Sequence, residues 1–387
     1  MEPGTALFRG GPARDKPRGS VDDSLEELLA AFDPGVPLER ARSLPSSWYR
    51  DPRIDALERR RVFGDSWQLV ARSGQLEKPG DFVTADVGGE PVLVLRDDAG
   101  ELRAFFNVCR HRAACVVTEP QGNARRLRCR YHGWTYDLRG ELRGVPEFEG
   151  VEDFRREDNG LVPLAVDRWG PLVFVHPGTH APPLASWLRP LPEQIGPLDG
   201  LRFYERREYS LACNWKVFVD NYLDGGYHVN SVHPTLGSVL RYSDYRTECF
   251  EHTSLQSSPL KASEDASASA TRTGDRARYG WAFPNLMVNS YAGVMDTNVV
   301  FPLGPDRCRV VIDFFFADLE SERARTLARD SVELGHRIQL EDVGICEDVQ
   351  RGLGSRSYST GRFAVRREGA VYQFQRLLAS RLQAAER

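Results

Sequence analysis

Lysine is nearly absent from this chain of 387 residues. Only Lys16, Lys78, Lys216 and Lys261 occur, so arginine carries almost all the positive charge. The formal net charge is −4, which leaves no cationic field to attract nucleic acid. No apolar run reaches 18 residues, so no membrane-spanning helix is expected. The first residues also lack the charged, apolar and small-residue succession of a secretory signal. Met1 to Ser20 is rich in Gly, Pro and Arg and reads as flexible, while Glu2 and Asp15 interrupt any transit-peptide pattern. Seven cysteines in a chain this long make no disulfide framework. Cys213, Cys249, Cys308 and Cys346 are scattered and read as small hydrophobes in a reducing compartment. The arginine bias fits a GC-rich gene, and the expectation is a cytoplasmic bacterial protein.

Hydrophobic residues make up 41% of the chain, enough for a sizeable core. Ser24 to Phe32 reads as a short amphipathic helix and Ile54 to Trp67 as a second. From 68 to 175 the texture becomes short Val, Leu, Phe and Thr runs separated by glycine turns, the pattern of an antiparallel β domain. A proline-rich connector follows Pro177. Beyond it a strand is expected over Arg207 to Ala212, a helix over Asn214 to Tyr227, two strands within Asn298 to Phe316, and a long helix over 320–351. Ser257 to Arg278, poor in hydrophobics, reads as a mobile loop or lid. The expected organisation is α+β in three parts: 1–45 a flexible segment with a short helix, 46–177 the β domain with its leading helix, and 178–387 a second domain. No internal repeat is visible.

Inside the β domain stand Cys109-X-His111 and Cys129-X-X-His132. Two thiolates and two imidazoles in mixed pairs suit few metals. One option is a [2Fe–2S] cluster with the cysteines on one iron and the histidines on the other, whose neutral imidazoles raise the reduction potential. The other is a structural Cys2His2 zinc site, although zinc fingers keep Cys with Cys and His with His.

A second constellation lies at Asn221-Tyr222-Leu223-Asp224-Gly225-Gly226-Tyr227-His228, followed by His233-Pro234. Histidines five apart point roughly 140° away from each other on a regular helix. They converge only if the helix ends or bulges, which Gly225, Gly226 and Pro234 favour. Converged, they are two-thirds of a facial triad for non-haem Fe(II); otherwise they are two histidines near a helix end. The third ligand would be a carboxylate of the long helix. Ile338, Asp342, Ile345 and Val349 follow one helical stripe, which places Asp342 on an apolar face where a lone carboxylate needs a metal or partner charge. Glu347 has Arg351 at i+4, as a solvated pair would.

The segments Asn107-Val108-Cys109-Arg110-His111-Arg112 and Cys129-Arg130-Tyr131-His132-Gly133-Trp134 resemble the cluster loops of Rieske oxygenases, and Leu340 to Leu353 resembles the segment that supplies their iron carboxylate. The likeness runs from about Leu44 to the C-terminus. It implies a Rieske domain and a catalytic domain of antiparallel sheet flanked by helices, of helix-grip type. It further implies a [2Fe–2S] cluster on Cys109, His111, Cys129 and His132, a mononuclear Fe(II) on His228, His233 and Asp342, and O2 as co-substrate. Electrons would come from NAD(P)H through a ferredoxin or a flavin/iron–sulfur reductase. Family members form homotrimers in which an acid bridges the two metal sites between subunits. Ring-hydroxylating members carry that acid three residues before the first iron histidine. Gly225 stands there in this chain, and Asp224, one residue earlier, is the candidate bridge, beside Asn221.

Asn221 to His228, with Met295-Asp296-Thr297-Asn298 and Pro302-Leu303-Gly304, is similar to choline monooxygenase and its bacterial relatives, which oxidise small quaternary amines. Such cations need aromatic faces, and Tyr279, Trp281, Phe283 and Tyr291 are the candidates. Three outcomes stay open: a quaternary-amine monooxygenase, an oxygenase for an aromatic or other uncharged substrate, and an electron-transfer or redox-sensing protein without oxygenase activity.

Overall fold

The computed structural model describes residues 23–261 and 271–384. The expected flexible stretch before Ser20 lies outside the described residues, as does 262–270 of the expected lid. The ends of that lid are not loop: Ser257 and Arg278 are register partners on adjacent strands.

The first sheet is antiparallel and contains β1 (Gln68–Arg72), β2 (Asp81–Val87), β3 (Glu90–Arg96), β4 (Leu102–Phe106), β5 (Gln121–Asn123), β9 (Pro163–Trp169) and β10 (Leu172–His176), in the order β1-β10-β9-β4-β3-β2-β5. Strand β3 is buried on both faces. Val92 and Val94 join Val83, Val173 and Val175 on one side, and Leu93 and Leu95 join Phe82 and Phe105 on the other. The second side also packs against Cys109, Cys129, Trp134 and Tyr136, so the cluster loops rest on the core rather than hang from it. A small sheet of β6 (Leu127–Arg128), β7 (Thr135–Tyr136) and β8 (Leu142–Gly144) completes the unit.

The second antiparallel sheet has the order β11-β17-β16-β15-β14-β13-β12, with β11 Arg202–Leu211, β12 Arg246–Cys249, β13 Thr253–Pro259, β14 Arg276–Ala282, β15 Leu286–Tyr291, β16 Val294–Gly304 and β17 Arg307–Phe316. The 32-residue helix Glu322–Leu353 follows, capped by the Ser321 hydroxyl, which accepts from Ala324 N. It crosses close to the sheet because Gly335 faces Phe314: a Cβ there would stand 3.1 Å from the phenyl ring. The helix Gly369–Leu382 covers the other end through Phe374, which lies against Trp215 and Trp281. The α+β architecture with two antiparallel sheets is borne out.

The segment before Gln68 is placed differently from expectation. Its second helix stops at Arg61 and gives way to a single 3-10 turn, Phe63–Asp65. It also belongs to the second core rather than to the β domain. Ile54 and Leu57 lie in the same apolar cluster as Trp215 and Phe374. Glu58 pairs with Lys216 at 2.6 Å and accepts from Trp215 Nε1, all three being buried. Leu44 N donates to Gln375, and the Tyr49 hydroxyl donates to Asp220. The segment from Leu44 to Glu58 therefore packs with the second core before the chain enters the β domain and returns, so a boundary at 46 does not separate it from that core.

Candidate active site

The two cluster loops have the same backbone construction. Cys109 N donates to Ala114 O and Ala113 N to Cys109 O; Cys129 N donates to Trp134 O and Gly133 N to Cys129 O, all at 2.8–3.0 Å. Both loops turn at a left-handed residue, Gly133 with φ 74° and Ala113 with φ 57°. For alanine that conformation is strained, and strain of this kind persists at functional turns. The cysteines are buried, while His132 is exposed and His111 half-exposed. The imidazole rings are 4.6 Å apart. Trp134 stacks on His111, and Tyr131, 60% exposed, lies over His132.

The donor set fits an iron–sulfur cluster. His111 Nδ1 is buried with no hydrogen-bond partner, a state that is costly unless a metal occupies it. The Tyr136 hydroxyl lies 3.4 Å from Cys109 Sγ and accepts from Arg110 N. Burial raises the Cys109 thiol, so the thiolate needs a metal to form.

The mononuclear site is made by a broken helix. Asn214 caps the helix Trp215–Leu223, shorter than the Asn214–Tyr227 expected, by accepting from Lys216 N. Gly225 and Gly226 then turn with φ 68° and 71°. Neither position has room for a side chain: a Cβ on Gly225 would stand 2.2 Å from Arg367 O, and one on Gly226 2.9 Å from the Tyr245 ring. A single turn, Val229–Val232, separates His228 from His233, and Pro234 opens the next helix. These interruptions turn the two imidazoles toward one point, their rings 4.9 Å apart.

Asp342 meets them there, and the ligand atoms of His228, His233 and Asp342 lie within 4.8 Å of one another. Asp342 Oδ1 is 3.0 Å from His233 Nε2 and 3.9 Å from His228 Nε2. Each histidine uses its other nitrogen on a carboxylate: His228 Nδ1 on Asp224 at 2.5 Å, His233 Nδ1 on Glu341 at 2.7 Å. That pairing fixes the tautomer that leaves Nε2 for a metal. Asn221 Nδ2 donates to Asp342 Oδ1 at 2.7 Å. Burial disfavours charge on His233, but Asp342 and Glu341 outweigh it and raise its pKa. Three acids crowded on two imidazoles suit a divalent cation better than protons.

Asp342 is in place although the stripe that pointed to it is not uniformly buried. Ile345 and Val349 are 36% and 44% exposed and border a cleft with Asp220 and Tyr358. The Glu347–Arg351 pair does not form either. Glu347 accepts from Ala212 N, and Arg351 pairs with Asp348.

Beside the three ligands lies a cavity of ≈ 120 Å³. Its floor is one row across five strands: Gln256, Tyr279, Asn289, Asp296 and Phe314 are successive register partners. Tyr222 and Tyr245 close its sides. Asp296 accepts from Asn289 and Asn298 at 2.8 Å, both on Oδ1, and the Tyr222 hydroxyl donates to Asn289 Oδ1. Burial raises the Asp296 pKa, with Arg272 and the two amides opposing.

Of the four aromatic candidates, Tyr279 lines the cavity and Tyr291 stands behind it, hydroxyl to hydroxyl at 2.9 Å. Trp281 and Phe283 do not line it. Trp281 shares a strand face with Tyr279 but sits two residues further along, under Phe374. Phe283 lies beyond the strand end, against Trp281 and Trp187. Tyr222, Tyr245, Gln256, Asn289 and Arg272 received no role from sequence, and Glu341 was only one of the long-helix carboxylates from which Asp342 was chosen as third ligand. Tyr222 and Asp296 stand in the quoted motifs, the one signal that could have found them.

Comparison with known proteins agrees with this geometry. Residues 66–155 match the model of the Rieske [2Fe-2S] domain, and 198–384 that of the ring hydroxylating alpha subunit (catalytic domain). The chain is 41% identical over 358 residues to the chloroplastic choline monooxygenase of Arabidopsis thaliana, covering 88% of this chain and 83% of that one. It is 28% identical to the carnitine monooxygenase oxygenase subunit of Acinetobacter baumannii, over 82% and 87%. The crystal structure of the quaternary ammonium Rieske monooxygenase CntA with L-carnitine superposes with a TM-score of 0.77 at 27% identity, over 94% of this chain and all of that one. The expected bacterial cytoplasmic setting is overturned. The plant relatives above 30% identity are chloroplastic, so arginine-rich composition was no guide to source or compartment. The chain belongs to the Rieske non-haem iron oxygenases, in the group of monooxygenases that includes the choline and carnitine enzymes, and it carries a [2Fe–2S] cluster and a mononuclear iron.

Proposed function

We propose that this oxygenase hydroxylates a small quaternary ammonium compound such as choline or a betaine, using O2 and electrons from a ferredoxin or a flavin/iron–sulfur reductase. The observation that carries the proposal is the cavity floor. A buried carboxylate, Asp296, sits among Tyr222, Tyr245 and Tyr279 beside the three metal-ligating side chains. A carboxylate in that position is stabilised by a cation, and tyrosine faces hold one that has no N–H to donate. The relatives named for choline, carnitine and glycine betaine support the same class.

The iron, when bound, supplies reductive activation of O2, placing one oxygen atom in the substrate and releasing the other as water. His228, His233 and Asp342 would hold it. Asp224 and Glu341 aim both imidazoles by holding Nδ1, which turns Nε2 inward, and Asn221 steadies Asp342. Phe218, Ile312, Phe314 and Ile338 exclude water around the substrate. Asp224 is also the proposed bridge to the cluster of a neighbouring subunit in a homotrimer. Gly225 cannot hold that acid, and Asp224 already contacts His228.

Purified protein with a reductase and NAD(P)H is expected to take up O2 when choline, glycine betaine or carnitine is added. Metal analysis is expected to give about three irons per chain. Uptake only with aromatic substrates, or two irons and no uptake, refutes the proposal.

A further inference from the structure

The cavity holds a second charge of opposite sign to Asp296. Arg272 lines it from the segment before β14, with its guanidinium carbon 4.8 Å from the Tyr291 ring centroid. Arg272 makes no hydrogen bond or ion pair with the described residues, and its Nε is buried without a partner. An unpaired buried guanidinium donor is expensive to maintain. A cation there also works against binding of a substrate whose only charge is positive. Its influence reaches the other cavity groups, because it opposes the effect of burial on both Asp296 and Tyr291. Arg272 does not neutralise Asp296 by direct contact, since no ion pair joins them. Two separated charges that do not neutralise each other by contact match a ligand that carries one charge of each sign. On Asp296 both amide donors go to Oδ1, which leaves Oδ2 to face a cation.

We infer that Arg272 is a specificity-determining residue that binds the carboxylate of a zwitterionic substrate, so that the enzyme prefers a carboxylated quaternary amine to choline. The inference rests on the quaternary-amine reading above and narrows it. The ammonium group lies against Asp296 and the tyrosines, and the carboxylate takes the guanidinium fork, whose planar donors match two carboxylate oxygens. Tyr291 holds the fork by stacking and fixes its direction.

The test compares binding by calorimetry, and kcat/KM with a reductase, for glycine betaine, carnitine and choline, in the parent and in Arg272→Met and Arg272→Lys. The parent is expected to bind at least one carboxylated amine roughly 10-fold or more tightly than choline. Arg272→Met is expected to weaken that amine roughly 10–100-fold and, because it removes a like charge, to bind choline at least as tightly as the parent does. Arg272→Lys is expected to recover part of the loss, and an unchanged cluster spectrum and melting temperature show that the variants fold. Choline binding as tightly as every carboxylated amine in the parent overturns the inference and leaves the quaternary-amine reading standing. Equal loss for choline and betaine in Arg272→Met overturns it in the same way. Absence of binding and turnover with all three amines overturns both.

Discussion

Replacing Glu341 by Gln separates an iron site held by three ligands alone from one that depends on its supporting carboxylates. Glu341 Oε2 stands 2.7 Å from His233 Nδ1, while His233 itself is 2% exposed. Glutamine keeps the length and can still accept through its amide oxygen, but it removes the charge. A charge-assisted hydrogen bond is about twice as strong as a neutral one, and loss of such a partner typically costs about 10–100-fold in metal affinity. The Glu341 side chain is 38% exposed, so solvent screens part of its charge and the expected loss is near the lower figure, about 10-fold or ~1.4 kcal/mol. The assay is iron per chain after dialysis against chelators of graded strength. Cluster absorbance serves as an internal count of the other two irons. Glu341→Gln is expected to lose its mononuclear iron at roughly 10-fold weaker chelation than the parent while the cluster stays. Glu347→Gln, whose target accepts from Ala212 N away from the site, is expected to behave as the parent. Identical retention in the Glu341 variant and parent at every chelator strength refutes a supporting role, and parallel loss of the cluster refutes its locality.

Three further outcomes follow from the structure. Gly225→Ala forces a Cβ to within 2.2 Å of Arg367 O at φ 68°, with a backbone cost of about 1–2 kcal/mol before the clash; it is expected to lower the melting temperature and release the mononuclear iron but not the cluster. Lys216→Met leaves Glu58 buried without its counter-charge and is expected to destabilise by about 3–5 kcal/mol in urea unfolding, whereas Lys216→Met with Glu58→Gln, which keeps an acceptor for Trp215 Nε1, is expected to recover part of it. Burial raises the Asp220 pKa to about 7 from 3.8, with Tyr49 and Gln375 opposing. The folded protein therefore holds this proton more tightly than the unfolded chain, and the resulting stability declines as pH rises through the window between those values. Asp220→Asn is expected to match the parent near pH 4 and to gain on it by pH 8. A difference that does not vary with pH in denaturant melts counts against that assignment.

The cluster pattern was legible because its four residues lie within 24 positions on two short loops, each closed by its own backbone hydrogen bonds. The break between His228 and His233 was legible too, since Gly-Gly and Pro interrupt a helix wherever they stand. Asp342 was reached through a stripe whose outer members proved exposed. Its position depends on how the long helix crosses the sheet, and Gly335 against Phe314 sets that approach. Trp281 was misjudged because residues on one strand face look alike until the helix covering part of that face is known.

Sequence alone thus determined the local chemistry: which side chains could ligate a metal, and that each constellation needs a chain reversal to assemble. Tertiary structure decided what the iron site faces. The row from Gln256 through Tyr279, Asn289 and Asp296 to Phe314 exists only once the register of five strands is set. A one-residue slip on any of them would send its member to the opposite face. Asp296 reaches the cavity only in that register, because strand partners are chosen by packing across the sheet and not by distance along the chain.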